Sequence, residues 1–174
     1  MLNTRTHSAT RLRDALTAPH TALRLEAAIC LRAVTAMTGE DHDAEVDRDV
    51  DRFRDFLHLV SRYCEGRRKL LWPALARSFP SSHAELVLLA DDSLALEPDL
   101  SAVARALDEL LAVRRSSRED RTVVGCAALG AVRPAKILHD SLSLHLGNEE
   151  LVLRDLFGGL SREQIVRARR VLAL

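Results

Sequence analysis

Residues 138–156, LHDSLSLHLGNEELVLRDL, put Leu138, Leu142, His145, Glu149, Val152 and Leu156 at three- and four-residue intervals. That spacing lines one face of an α-helix. Four of the six are apolar, so the face belongs against a core, and His145 and Glu149, at i and i+4, must point inward with it. A buried imidazole and carboxylate cost stability unless each meets a partner. The stretch therefore predicts a helical core with a polar centre inside it. The same pattern extends back through Val123, Val124, Leu129 and Ile137 and ends near Gly158 and Gly159, with Gly130 and Pro134 as irregularities.

Three more patterns of this kind lie upstream. From about residue 8 to 37, Leu12, Leu16, Leu23, Ala27, Cys30, Leu31 and Val34 recur at helical spacing, and Pro19 is expected to kink or restart that helix. Residues 38–42 read as a turn around Gly39. A second helix is expected over residues 44–77 through Val50, Phe53, Phe56, Leu57, Val60, Tyr63, Leu70, Leu71 and Leu75, bent near Pro73. Phe79, Pro80, Ser81 and Ser82 are turn and cap chemistry. They open a third helix with Leu86, Leu89, Ser93, Leu96 and Leu100 on one stripe, running to about Val113 and disturbed near Pro98. The mixed charges of residues 114–121 read as a solvated connection. Ser161 followed by Gln164 is a capping-box pattern for a short last helix reaching Leu174. The class is all-α. Four long amphipathic helices with short connections imply one domain over residues 1–174, an antiparallel up-and-down four-helix bundle with a short C-terminal helix.

Composition narrows the function. Lys plus Arg and Asp plus Glu number 25 each, so no net field draws the chain to nucleic acid or an anionic membrane. Arg5, Arg11, Arg13, Arg24 and Glu26 interrupt what would have to be the apolar core of a secretion signal, and no apolar run reaches spanning length, which predicts a soluble cytoplasmic protein. Cys30, Cys64 and Cys126 are far apart and odd in number, which suits buried reduced thiols better than a disulfide framework or a zinc cluster. His58, His83 and His139 fall near polar faces and read as surface residues. Trp72 reads as core.

Other stripes also carry polar residues where the period demands apolar ones. Tyr63 and Arg67 share the spacing i, i+4 with a stripe holding Phe56 and Val60; His20 lies with Leu16 and Leu23; Ser93 lies with Leu89 and Leu96. An arginine on an apolar stripe is expensive unless a carboxylate meets it. Tyr63 to Pro73, YCEGRRKLLWP, resembles the first H-x-x-x-E element and the following apolar run of the hemerythrin-like (HHE cation-binding) family, and His145 to Glu150, HLGNEE, resembles its second. The isolated His20 and the segment 90–98, ADDSLALEP, are similar to the family's remaining elements, so the resemblance covers nearly the whole chain. It implies a four-helix bundle around a di-iron centre. His20, His145 and Glu149 keep ligand types; Tyr63 stands for a His, Arg67 for a bridging Glu and Ser93 for a His.

A guanidinium in place of a bridging carboxylate puts fixed positive charge where metal would sit. Arg67 is expected to pair with Glu149 and take over the charge of the missing metal. No cofactor is favoured; the alternative is non-haem iron on His20, His145 and Glu149. Loss of the metals suggests a pocket for a small molecule lined by His20, Tyr63, Arg67, Ser93, His145 and Glu149, anionic or phenolic in character, with Tyr63, Arg67, His145 and Glu149 as acid–base or catalytic groups. The competing readings are an iron protein handling oxygen, nitric oxide or iron, and a structural or regulatory interaction module in which these residues form a satisfied, inert network.

Overall fold

The computed structural model of the protein describes residues 3–39, 46–116 and 121–172. Every regular element among them is helical: α1 (Asn3–Ala36), α2 (Val46–Gly66), a π turn (Arg67–Leu71), α3 (Trp72–Ser78), a 3-10 turn (Pro80–Ser82), α4 (His83–Ala95), α5 (Glu97–Ser116), α6 (Arg121–Gly158) and α7 (Arg162–Leu172). None is long and apolar enough to cross a membrane.

Each boundary has a local cause. α1 runs unbroken through Pro19, and α6 through Pro134. After α1 the chain turns at Met37–Gly39, closed by Gly39 N–H donating to the Ala36 carbonyl at 3.0 Å. Residues 40–42 of the expected turn, 44–45 at the expected start of the second helix, 117–120 of the charged connection and 173–174 lie outside the described residues. Arg114 of that connection belongs to α5, where it pairs with Asp47 at 3.3 Å. The expected third helix is two: α4 stops at Ala95, and Pro98 sits in the first turn of α5, where its missing N–H costs nothing. The Ser161 hydroxyl accepts from Gln164 N–H at 3.2 Å, and the Gln164 side chain accepts from Ser161 N–H at 2.7 Å, a reciprocal capping box that starts α7.

The second helix departs most from its periodicity. The Trp72 N–H reaches back five residues to the Arg67 carbonyl, so one extra residue is wound into the helix before Pro73, which then occupies the first turn of α3. The next inward residue after Arg67 is therefore Trp72, 2% exposed, and Leu70, expected on the inner stripe, is 73% exposed. Leu71 is half-buried.

Packing gathers the helices into two compact units. One takes the chain up to Ala22, residues 63–94 and the chain from Leu144 onward. Its core joins Leu12, Trp72, Leu75, Leu89, Leu153 and Phe157, with Ile165 and Ala168 of α7 closing it. The other takes residues 23–62 and 95–143. There Val34, Val50, Val60, Val103, Leu107 and Leu110 are fully buried. On α6 this core is met by Val124, Ala128, Ala131, Ala135, Leu138 and Leu142, whereas Val123, Leu129 and Ile137, expected inside, face outward. The alanines continue the three-and-four spacing back from Leu138 and outrank the larger side chains beside them, because position on the helix decides burial before size does.

Cys30 and Cys64 are buried, but Cys126 is exposed on α6, contrary to the expectation for all three. Burial, reinforced by Glu26, pushes the Cys30 thiol up to about 12.

Candidate functional site

Glu149 is the hub of the first unit's polar centre. α6 supplies it with His145 one turn earlier, and the two meet with His145 Nε2 3.1 Å from Glu149 Oε1. The approach does not meet hydrogen-bond geometry, and Oε1 has no hydrogen-bond partner among the described residues. The other oxygen is crowded. Tyr63, at the end of α2, donates its hydroxyl to Oε2 at 2.6 Å, and His20 Nε2 lies 3.1 Å from the same oxygen and 2.8 Å from the phenol oxygen. The single phenol proton goes to Glu149, and His20 Nε2 stands within hydrogen-bond reach of both the phenol oxygen and Oε2. Arg67 Nε stands 3.7 Å from Oε2. Ser93 on α4 donates to the Leu89 carbonyl at 2.9 Å and lies 3.4 Å from His145 Nε2, which it can serve only as an acceptor. A nearby bond from Asn148 Nδ2 to Asp92 Oδ2, 3.2 Å, ties α4 to α6 at this level.

His20, Ser93, His145, Glu149 and Arg67 are all buried, and Tyr63 is half-buried. All six residues singled out in the sequence thus meet in one cluster. Burial alone would raise the Glu149 carboxyl; His145, His20, the Arg67 charge and the Tyr63 hydroxyl together outweigh it and hold the group at about 2. Burial and the Glu149 charge push the Tyr63 phenol well above its ordinary range. The centre therefore holds a carboxylate and a protonated phenol across the physiological range.

Three contributors were not singled out as site residues. Glu150, partly exposed, accepts from His20 through Nδ1 at 2.9 Å and so fixes the ring from the solvent side. Its sequence signal was only its place beside Glu149. Trp72 and the Leu16 carbonyl surround Arg67: the guanidinium carbon lies 4.8 Å from the Tyr63 ring centre and 5.3 Å from that of Trp72, and Nη2 donates to Leu16. The Leu16 carbonyl has a second lone pair beyond the one its helix uses, and the arginine takes it. Trp72 enters through the π turn, which no compositional pattern announces.

His20, His145 and Glu149 are the metal-ligating types present, yet their polar atoms are turned on one another, and Arg67 approaches the same carboxylate oxygen as His20 and Tyr63. Among the described residues no group of three or more His, Cys, Asp or Glu side chains is arranged to hold a metal ion. A di-iron centre, which needs bridging carboxylates to offset its charge, does not fit a set with one central carboxylate already matched by an arginine. No protein-family model, curated protein or solved structure matches the chain.

Proposed function

We propose that this chain is a hemerythrin-like protein, an antiparallel up-and-down four-helix bundle, whose centre works without metal as a binding site for a small organic molecule. The contact between Arg67 and Glu149 carries the reading: a fixed guanidinium charge meets the one central carboxylate, as a cation would. The buried Glu149 Oε1 and His145 Nδ1 lack hydrogen-bond partners among the described residues and support a bound molecule with polar groups of its own. His145 and Glu149 are the acid–base pair such a molecule would face, with Tyr63 and Arg67 holding the carboxylate between them.

The runner-up is a mononuclear iron site on His20, His145 and Glu149. It draws on the 3.1 Å approach of each imidazole to an opposite oxygen of Glu149. That reading requires Arg67 to leave. Elemental analysis after aerobic and anaerobic iron loading separates the two. Wild type is expected to stay metal-free, while Arg67→Glu, which restores a second carboxylate, takes up iron. Iron near one atom per chain in wild type would overturn the metal-free reading.

A further inference from the structure

The surroundings of Arg67 are those of a ligand as much as of a side chain. Its guanidinium lies within cation–π range of two aromatic faces, Tyr63 at 4.8 Å and Trp72 at 5.3 Å. Nη2 is held by the Leu16 carbonyl, and Nε faces Glu149 Oε2. The group is 7% exposed. Beside it the second oxygen of the same carboxylate, fully buried, meets His145 Nε2 at 3.1 Å without hydrogen-bond geometry and has no hydrogen-bond partner among the described residues. Two ring faces, a carbonyl and a carboxylate form a receptor for a flat, multiply donating cation.

We infer that the centre is a guanidinium cage which Arg67 fills as a tethered occupant, and that the ligand class it takes in trans is a small guanidine, bound by displacing the Arg67 head. The inference rests on the metal-free reading above and reverses the anionic character expected of the ligand, because Arg67 is already spent on Glu149. A tether presents its head at an effective concentration on the order of millimolar, so wild type takes a free guanidine only weakly and removal of the tether exposes the full affinity.

Trp72 is the chain's single tryptophan, and its emission reads the cage directly. The experiment titrates ethylguanidinium chloride, with ethylammonium and sodium chlorides as controls, into chelator-treated wild type, Arg67→Ala and Arg67→Ala/Glu149→Gln, following fluorescence and helical circular dichroism. Arg67→Ala is expected to give a saturable change in Trp72 emission, wild type a much weaker one, and the double variant an affinity lower by roughly tenfold to a hundredfold. If Arg67→Ala does not fold alone, ethylguanidinium present during refolding restores its helical signal. A folded Arg67→Ala that ignores ethylguanidinium, an unfolded one that it does not rescue, or an equal response to ethylammonium overturns the cage. Metal uptake by wild type is a separate readout that sinks the metal-free reading instead.

Discussion

His145, His20, Arg67 and Tyr63 each act on the Glu149 carboxyl against the pull of its burial, and the balance falls from an ordinary 4.5 to about 2. Because the folded value lies below the unfolded one, the unfolded chain binds the proton more readily. The stabilisation is then complete above about pH 4.5 and is lost as pH falls towards 2. The difference corresponds to something on the order of 3 kcal/mol. Thermal midpoints of wild type and Glu149→Gln measured from pH 7 to pH 2 should therefore differ most at neutral pH and converge in acid. A constant offset across the range would show that Glu149 does not titrate in this way. At this scale the sequence was unusually readable: charged or polar side chains on otherwise apolar stripes mark His20, Arg67, His145 and Glu149, since nothing else justifies the cost of burying them. Glu150 escaped because half of its environment is solvent, where a glutamate needs no explanation.

At the scale of the element, α7 shows a helix start written in four residues. Ser161 and Gln164 satisfy each other's free backbone N–H groups before Ile165 and Ala168 enter the core. Ser161→Ala should destabilise the protein by about 1 kcal/mol in urea unfolding, and Ser161→Asp should restore most of that loss. No change on Ser161→Ala would mean that α7 is held by Ile165 and Ala168 alone. The helices themselves were legible from spacing because burial of a stripe is repeated every turn. The π turn was not: it adds one residue at one place, and its only outward sign, Pro73, also fits an ordinary bend. The α6 stripe was misread for a related reason, because alanine carries little weight in a hydrophobic pattern although it fills a close contact as well as leucine fills a wide one.

For the molecule as a whole, the three thiols offer a test of packing in both units. Cys126 is exposed, while Cys30 and Cys64 are buried. Iodoacetamide at pH 8 should add one group to the native chain, at Cys126, and reach the other two only after denaturation, as peptide mass analysis would show. Rapid labelling of Cys30 in the native protein would contradict its burial and its thiol value of about 12. The π turn also reaches beyond its own five residues. A helix holding one surplus residue is an insertion absorbed without a loop, and it rotates everything after Arg67 by about a hundred degrees relative to an unbroken helix. The same sequence wound as an unbroken α-helix would keep its hydrogen bonds and present Leu71, not Trp72, to Arg67. The segment would remain helical and the cage would lose a wall. The winding of the backbone at this point is therefore part of the site's chemistry, as much as the identity of any side chain in it.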